Sequence, residues 1–285
     1  SRMKVLHVLY QSLPNTAGSS IRSRDIVISQ LRAGITPIII TSPFQAPIKN
    51  GSLKEEIQGV VYYRTFSNSE DEIVSEKKSS VYLQIKKGFR LIKFTNDVYK
   101  IAKLEKIDLI HAHAMFFCAI AAKITSFRLS IPFIYEVRSL WEERYKSHGY
   151  FNKLFFSIAT IIEAFSMWSS DCLVVINNNL KSILSNRLLL KNKVIKIVSN
   201  AIDIDKVKII SSNRKNIIFG YIGTLSPIEG LDLLIKAFNN LHSINFQNKL
   251  FIYGDGIEKE RLKLLAKNNP LIEFKGRFQQ KDISH

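Results

Sequence analysis

The chain contains 285 residues, of which 46% are hydrophobic and 11% aromatic. This supply of apolar side chains excludes an intrinsically disordered chain, and the length favours two domains of roughly 100–200 residues each. The 41 Lys and Arg against 24 Asp and Glu give a net charge of +17, which favours an acidic partner such as nucleic acid, anionic lipid or a phosphorylated substrate. Cys118 and Cys172 lie in apolar runs and predict buried thiols rather than a disulfide framework or a metal site.

No segment of the sequence predicts a signal peptide or a membrane-spanning helix. The apolar run at 5–9 is too short for a signal-peptide core and has no cleavage pattern after it. The longest apolar stretch, 154–168, is interrupted by Glu163 and several serines, so it falls short of the ~18 uninterrupted residues of a spanning helix. We therefore expect a cytoplasmic protein, or one that binds the inner face of the cell membrane from the cytoplasm.

Short apolar runs alternate with longer helical patterns before position 200. Runs such as Ile38-Ile39-Ile40, in which no polar residues alternate, are typical of strands covered on both faces. The alternation predicts an α/β fold with a mainly parallel sheet. Strands are predicted at 3–10, 36–41, 60–64, 107–111, 133–137, 172–176 and 194–198, and the first helix at 23–33.

The same alternation restarts after a polar stretch at 201–215. Strands are predicted at 216–222, 249–253 and 272–275, and helices at about 230–241 and 258–267. The sequence therefore predicts two Rossmann-like domains, at 1–202 and 203–285. A Rossmann-type domain usually contains about five strands or more, so we interpret the second domain as truncated.

The segment 81–106 combines many basic residues with apolar ones. Its basic residues include Lys86, Lys87, Arg90 and Lys93, and Phe89 and Ile92 lie between them. This composition predicts a basic amphipathic helix able to lie on an anionic bilayer. An ordinary surface helix with a solvated basic face is the alternative.

Ligands of open α/β sheets bind beyond the carboxyl ends of the strands, so the residues after each predicted strand are candidate site residues. After the first strand come small residues that include Gly18 and Ser19, followed by the start of a helix. Small residues allow close backbone approach, and amides at a helix N-terminus attract phosphate. The segment matches no phosphate-loop pattern, and a plain loop is the alternative interpretation.

Imidazole and charged side chains follow two further strands. His111 and His113 share one face of an extended chain. Because no third ligand has suitable spacing, we predict a core His111 and a cleft-facing His113 rather than a metal pair. Glu136 and Arg138 end the strand at 133–137, where burying charges without a partner would be costly. They therefore indicate a functional site, with surface ion pairs as the alternative.

The second domain places glycines at two strand ends. Gly223 and Thr224 follow the strand at 216–222 and precede a helix, and Gly254 and Asp255 follow the strand at 249–253. Glycines at such turns let the backbone approach a diphosphate, and the dipole of the following helix favours the anion. A turn without a ligand is the preferred interpretation at Gly254.

Three segments of the second domain, in this order and spacing, resemble the donor domain of family 4 (group 1) glycosyltransferases. They are Gly-Leu-Asp-Leu-Leu-Ile at 230–235, Leu-Phe-Ile-Tyr-Gly-Asp-Gly at 250–256 and Phe-Lys-Gly-Arg-Phe at 274–278. The first half fits through Asp-Leu-Ile-His-Ala-His at 108–113 and Val-Ser-Asn-Ala-Ile-Asp at 198–203. Ser-Leu-Pro at 12–14, Thr-Ser-Pro at 41–43 and Tyr-Glu-Val-Arg-Ser-Leu-Trp-Glu at 135–142 resemble a narrower subgroup found with exopolysaccharide (exosortase-associated) gene clusters.

The resemblance implies a GT-B fold, in which two Rossmann-like domains face a cleft, and a retaining sugar transfer from a nucleotide-sugar donor. The first domain would hold a lipid-linked or oligosaccharide acceptor of bacterial surface or exopolysaccharide synthesis, and the second domain the donor. Neither a metal ion nor another cofactor is expected. The basic helix would suit an acceptor with pyrophosphate on an anionic membrane surface. Nucleic acid is not an expected partner, because no recognition motif accompanies the charge.

The sequence departs from the family pattern at several positions. Thr224 and Glu229 stand where many members carry the Arg and Lys that bind the donor diphosphate, and Arg138 aligns with a histidine. Ala201 replaces a usual glycine, and the family's two glutamates seven residues apart would lie beyond His285. The resemblance therefore implies that these residues alone have little or no transfer activity.

We expect Arg138 to be the cationic partner of a phosphate, and Glu136 and His113 to position the acceptor hydroxyl. Candidate donor-binding residues are Gly18, Ser19, Gly223, Thr224, Gly254 and Asp255, and candidate membrane or acceptor contacts are Lys86, Lys87, Arg90 and Lys93. The alternative function is a non-catalytic subunit that binds membrane or acceptor and needs a partner for the donor half. Positions 224 and 229 favour that alternative.

Overall fold

A computed structural model describes residues 2–14, 18–45, 53–65, 81–140, 153–201, 217–242 and 248–277. The chain divides into two compact units, Ser1–Asn200 and Ala201–His285. Among the described residues, no helix is both long enough and apolar enough to span a bilayer.

The first unit alternates strands and helices along the chain, as the sequence predicts. Its strands are β1 (Lys4–Leu9), β2 (Thr36–Thr41), β3 (Lys54–Ile57), β4 (Val60–Arg64), β5 (Leu109–His113), β6 (Phe133–Val137), β7 (Cys172–Val175) and β8 (Ile195–Ile197). Its described helices are α1 (Gly18–Arg32), α2 (Val81–Glu105), α3 (Phe116–Leu129), α4 (Lys153–Ser169) and α5 (Asn178–Ser185).

The eight strands form one sheet in the order β3-β4-β2-β1-β5-β6-β7-β8. Every neighbouring pair is parallel except β3 with β4, which is antiparallel. The mainly parallel sheet is therefore confirmed. Strand β3 was not predicted, because Lys-Glu-Glu-Ile contains three charged residues and forms only the exposed edge of the sheet.

The core of the first unit lies on both faces of the central strands. Helix α2 contributes Phe94, Val98 and Ala102, which are buried against the sheet and the neighbouring helix α3. Cys118 of α3 is fully buried, and this burial raises the pKa of its thiol. Cys172 is half-buried, and both cysteines are free thiols.

The second unit contains a three-stranded parallel sheet in the order β11-β10-β9. The strands are β9 (Ile218–Ile222), β10 (Lys249–Tyr253) and β11 (Ile272–Gly276), and the helices are α6 (Leu231–His242) and α7 (Lys259–Ala266). Leu231, Ile235 and Phe238 of α6 pack with Leu250 and Ile252 of β10 in its core. The predicted strand–helix alternation is confirmed here within two residues at each boundary.

Two boundaries in the first unit differ from the prediction in ways that matter for the site. Helix α1 begins at Gly18 rather than at position 23, so Gly18 and Ser19 form its first turn. Strand β5 runs from Leu109 to His113 rather than over 107–111, so both histidines belong to the strand itself.

Candidate active site

Six polar side chains meet at the carboxyl edge of the first sheet, where β1, β5 and β6 lie side by side. Strand pairing sets their spacing, because His7 is in register with His111 and His113 is in register with Glu136. We call this set the buried polar cluster. It consists of His7 of β1, Arg22 of α1, His111 and His113 of β5, Glu136 of β6, and Arg138 directly after β6.

Glu136 is the centre of the cluster and is 0% exposed. Its Oε1 accepts hydrogen bonds from Arg22 Nε at 2.9 Å and Arg138 Nε at 2.7 Å. Its Oε2 faces His111 Nε2 at 3.3 Å and His113 Nδ1 at 3.6 Å. Burial alone would raise the pKa of Glu136, but the cationic and polar groups packed around its two oxygens hold it well below its usual range. Surface ion pairs, the alternative from the sequence, are therefore wrong for Glu136.

Arg138 connects β6 with helix α1, and nearly all of its N–H groups donate hydrogen bonds. Besides Glu136, its Nη1 donates to the carbonyl of Ser19 at 2.8 Å, and its Nη2 donates to Ser23 Oγ and to His113 Nδ1, both at 2.9 Å. These bonds use four of the five N–H hydrogens of a guanidinium. Among the described residues, one Nη1 hydrogen is left for an anion.

Arg22 is the second guanidinium of the cluster, and it was not among the predicted site residues. It donates through Nη1 to the carbonyl of Ser199 at 3.1 Å and to Asn200 Oδ1 at 2.9 Å, and through Nη2 to the carbonyl of Val198 at 2.6 Å. Arg22 therefore ties Glu136 to the Val-Ser-Asn segment that ends the first unit. A basic residue on a polar helix face resembles any solvated arginine, so its sequence context contained no signal.

The rings of His7 and His113 are buried in their neutral form. His113 is 2% exposed and His7 is 0% exposed. Burial, reinforced by His111, lowers the pKa of His7 to about 3 and that of His113 well below its usual value. The prediction that His113 faces a cleft is wrong, because the ring lies beneath Arg138 and hydrogen-bonds His7. His111 is buried, as predicted, with its ring stacked on that of His113 at a centroid distance of 4.0 Å.

Nitrogens of His7, His111 and His113 lie within 4.8 Å of one another, a spacing that could hold a metal ion. His7 is the third imidazole that the sequence analysis missed, since it comes from the neighbouring strand. Hydrogen bonds already occupy both nitrogens of His7 and His113. Two guanidiniums also stand against one carboxylate, so the cluster carries positive charge. We therefore assign the imidazoles of His7 and His113 a hydrogen-bonding role.

The first turn of α1 lies against the cluster through Arg138 and Ser23. Ser23 Oγ donates to the carbonyl of Ser19 at 2.9 Å and accepts from Arg138. The first four amides of a helix have no partner within it. Ser20 follows Gly18 and Ser19, and its buried Oγ has no hydrogen-bond partner among the described residues. Gly18 and Ser19 are thus held where their amides and the positive cluster favour an anion.

A buried arginine on β4 supports the loop that follows β1. Arg64 donates through Nε to Glu55 Oε1 at 2.7 Å and through Nη2 to the carbonyl of Leu13 at 2.8 Å. Its Nη1 donates to Ser12 Oγ and, at 3.2 Å, to Gln45 Oε1. Arg64, two strands away from β1 in the sheet, therefore holds Ser12 and Leu13 in place after β1.

The glycine turns of the second unit pack against each other. The amide of Gly223 donates to the carbonyl of Tyr253 at 3.1 Å, and the amide of Leu225 donates to the carbonyl of Asp255 at 3.0 Å. Because its N–H is used, the Gly223 amide cannot also bind a diphosphate, contrary to our expectation. Gly254 needs its glycine, since its φ is +147° and an added Cβ would lie 1.8 Å from the carbonyl oxygen of Gly223. Thr224 and Asp255 lie beside this contact.

The proposed membrane or acceptor residues all lie on α2, which confirms the predicted helix. Lys86 and Lys87 fall in its first turns, and Lys93 is exposed. Phe89 is 69% exposed and Ile92 is 68% exposed on the face opposite Phe94 and Val98. The outer face of this part of α2 therefore combines exposed apolar and basic side chains.

Two family models together match the chain from residue 18 to residue 285. A model described as Glycosyltransferase Family 4 matches residues 18–206, and one described as Glycosyl transferases group 1 matches residues 203–285. An uncharacterized glycosyltransferase of Methanocaldococcus jannaschii is 29% identical over 193 residues, which cover 62% of this chain and 46% of the relative. The chain thus spans about half of that relative's length.

Solved structures with the same fold cover nearly the entire chain. Sucrose-phosphate synthase from Thermosynechococcus elongatus superposes with a TM-score of 0.71 at 13% identity, covering 98% of this chain and 72% of that one. The apo form of the lipopolysaccharide outer core galactosyltransferase WaaB gives a TM-score of 0.60 at 16% identity, covering 97% and 69%. At such identities the likeness concerns the fold alone, and it confirms the predicted GT-B architecture.

Proposed function

Since the chain belongs to the family 4 glycosyltransferases, we propose that the protein transfers a sugar from a nucleotide-sugar donor to a lipid-linked or glycan acceptor. The observation that carries this proposal is the buried polar cluster at the carboxyl edge of β1, β5 and β6. Its two guanidiniums and single carboxylate leave positive charge beside the first turn of α1. This is an environment suited to phosphate.

The proposed reaction retains the configuration of the anomeric carbon. The bond from this carbon to the diphosphate oxygen breaks, and a bond to the acceptor oxygen forms on the same face. The acceptor proton passes to the departing diphosphate, which carries away the electron pair of the broken bond. Stabilising the diphosphate as negative charge develops is the principal task of the protein, and no metal ion or other cofactor is invoked for it.

Arg138 is the residue of the cluster best suited to that task. Its remaining Nη1 hydrogen and the amides of Gly18 and Ser19 belong to one short stretch of surface, because Nη1 also bonds the carbonyl of Ser19. Glu136 and His113 are too deeply buried to touch an acceptor in this conformation. We therefore propose them as positioning residues for Arg138. Thr224, Gly254 and Asp255 remain proposed donor contacts in the second unit.

The test is sugar transfer by the full-length protein, with Arg138→Ala compared with Arg128→Ala. Removing a preorganised cation from a developing anion lowers turnover by about 10²–10³-fold, so we expect a loss of that size for Arg138→Ala. Arg128 is a matched control, because it stacks on Tyr99 at the surface, away from the cluster. Unchanged turnover of Arg138→Ala would remove Arg138 from the reaction.

A second candidate function is a non-catalytic subunit that binds the acceptor or membrane. Thr224 and Glu229 favour it, since neither supplies the positive charge that many family members place there. Calorimetric titration of the full-length protein with nucleotide-sugars separates the two functions. Donor binding with turnover supports the enzyme, and acceptor binding without any donor binding supports the subunit.

We further propose that α2 holds the protein on the inner face of the cell membrane in bacterial surface or exopolysaccharide synthesis. Phe89 and Ile92 would enter the headgroup region while Arg90 and Lys93 attract anionic lipid. Sedimentation with anionic vesicles should be weakened by Phe89→Ser and by added salt. Leu104→Ser is the matched control, because Leu104 is equally exposed at the opposite end of α2. Binding to RNA or duplex DNA instead of vesicles would contradict this assignment.

A further inference from the structure

A chain of hydrogen bonds runs from helix α1 through two buried imidazoles to Arg138. Gln30 Oε1 lies 2.7 Å from His7 Nε2, His7 Nδ1 lies 2.9 Å from His113 Nε2, and His113 Nδ1 lies 2.9 Å from Arg138 Nη2. We call these four residues the relay. Helix α1, strands β1 and β5 and the residue directly after β6 contribute to it, so only the folded chain brings its members together.

The guanidinium fixes the direction of every bond in the relay. A guanidinium can only donate, so His113 Nδ1 must accept from Arg138 and carries no proton. A neutral His113 then has its proton on Nε2 and donates it to His7 Nδ1. His7 in turn has its proton on Nε2 and donates it to Gln30 Oε1, which can only accept. The two imidazoles therefore share one tautomer, with the proton on Nε2 in both rings.

The relay closes a ring that begins and ends on α1. Ser23 and Gln30 are seven residues apart and lie on the same face of this helix. Arg138 contacts the N-terminal part of α1 directly, through Ser19 and Ser23. It contacts the C-terminal part only through His113, His7 and Gln30. The position of the first turn of α1 relative to Arg138 thus depends on both halves of the ring.

We propose that Gln30 and His7 are positioning residues of this site, which set the proton position on His113 and thereby hold the Arg138 guanidinium against the first turn of α1. If His7 carried its proton on Nδ1, His113 would accept at Nε2 and present an N–H to Arg138. Two donors would then face each other, and Arg138 would lose one of its four bonds. His7 is also faced by the ring of His111 and by the charges of Glu136 and Arg138.

The proton positions of the relay and its effect on sugar transfer can be measured separately. The proton positions follow from the contacts alone. The effect on sugar transfer rests on the proposed function of Arg138. Long-range ¹H–¹⁵N spectra of the protein labelled at histidine nitrogens report the tautomer of each ring, and turnover of the full-length protein reports the activity.

Two substitutions of Gln30 test the relay in opposite ways. Gln30→Met removes the acceptor and keeps the side-chain length, so the tautomers of His7 and His113 should become mixed. Gln30→Glu keeps the acceptor and adds negative charge, which favours a doubly protonated His7. That ring would donate from Nδ1, so the proton of His113 should move to its Nδ1. Ser29→Ala, an exposed neighbour on α1, is the control and should change neither ring.

We expect the wild-type rings of His7 and His113 to carry the proton on Nε2. We expect Gln30→Met to lower kcat on the order of tenfold, as for loss of one buried hydrogen bond, and Gln30→Glu to lower it further. In both variants KM for the acceptor should change less than kcat. A wild-type His113 protonated on Nδ1, or tautomers that no Gln30 variant alters, would overturn the proton assignment.

Turnover measurements on the Arg138 and Gln30 variants distinguish a failure of this inference from a failure of the proposed function. If Arg138→Ala abolishes transfer while both Gln30 variants retain full turnover, Gln30 and His7 do not position Arg138, and the inference fails. If Arg138→Ala itself retains turnover, the proposed role of Arg138 fails while the tautomer result still decides the relay. Gln30→Met introduces no charge into the interior, so it keeps the test available if Gln30→Glu does not fold.

Discussion

The two units end their strands in different ways. At the carboxyl edge of the first sheet, buried side chains define the surface, with Glu136 between two guanidiniums and two imidazoles beneath them. At the corresponding edge of the second sheet, the backbone defines it, because Gly254 touches the carbonyl of Gly223 and no buried charge is present among the described residues. The first edge thus depends on charge balance, and the second on the absence of side chains.

Among these substitutions, removing the Glu136 carboxylate should lower the free energy of unfolding the most. Glu136→Gln leaves Arg22 and Arg138 buried without their anion, and breaking a buried ion pair in this way costs about 3–5 kcal/mol. Urea denaturation should show this loss in the free energy of unfolding of the first unit. Glu105→Gln is the matched control, since Glu105 pairs with Lys4 and Lys54 near the surface and should cost at most about 1 kcal/mol. Equal losses of stability for the two variants would contradict the conclusion that the first edge depends on charge balance.

The second edge should instead be most sensitive to an added methyl group. Gly254→Ala places a Cβ against the carbonyl oxygen of Gly223 at a φ of +147°, so strain of about 1–3 kcal/mol adds to the steric clash. Hydrogen exchange of the β10 amides should accelerate by the corresponding factor. Gly220→Ala is the control, because a Cβ there meets nothing within 4 Å. Comparable exchange in both variants would show that close packing does not determine this turn.

The sequence predicted the second edge better than the first. Glycines at strand ends are direct signals of close backbone approach, and 223 and 254 lie where they were expected. The charged edge was recognised through Glu136, Arg138 and the two histidines of β5, but His7 and Arg22 were missed. His7 lies inside an apolar strand and resembles a core residue, and Arg22 resembles a solvated helix residue. Their roles arise from strand register and from the position of α1, which a single sequence does not encode locally.

The error at β5 has a specific physical cause. Lys106, directly after α2, has a φ of +54°. Its amide donates to the carbonyl of Lys103, and the amide of Ile107 donates to the carbonyl of Ala102. These are the two hydrogen bonds of a Schellman motif, in which the residue after the left-handed one makes an apolar contact. Ile107 is therefore buried as part of the helix cap. Its apolar character moved the predicted strand two residues too early and placed His113 outside the strand.

Acid should weaken the first edge before it affects the second. An unfolded histidine titrates near pH 6.5, whereas burial, aided by His111, holds the pKa of His7 at about 3 and that of His113 well below its usual value. Below about pH 6.5 the unfolded chain therefore binds protons that the folded chain does not. The free energy of unfolding should fall by about 1.4 kcal/mol per pH unit for each of the two rings.

Urea denaturation at about pH 7.5 and about pH 5.5 measures this slope. His7→Asn should remove the contribution of one imidazole and so halve the change in the free energy of unfolding per pH unit. Below the usual carboxyl range Glu136 adds to the loss, because the cationic and polar groups packed around it depress its pKa in the folded chain against the opposing effect of burial. A slope that is the same with and without His7 would show that His7 is not buried in its neutral form.

The smallest effect is expected for Asp255, a carboxylate at the edge of the second sheet. Asp255 accepts from the amide of Gly256 at 3.0 Å and pairs with Lys259 at 3.4 Å and Arg277 at 3.3 Å. The Gly256 amide and then Lys259 lower its pKa, but these contacts lie at the surface, where solvent and salt screen ion pairs. Asp255→Asn should therefore leave the denaturation midpoint nearly unchanged at low salt and fully unchanged at high salt.

Glu136→Gln, measured beside Asp255→Asn, should lose nearly the same stability at both salt concentrations, because the carboxylate is fully buried and the side chains of Arg22 and Arg138 are only 10% and 11% exposed. The pair of variants thus compares two carboxylates that each contact two cations and differ mainly in burial. A large, salt-independent loss for Asp255→Asn would mean that the second edge also depends on charge. A salt-sensitive loss for Glu136→Gln would mean that solvent reaches the cluster, and the distinction between the two edges would then disappear.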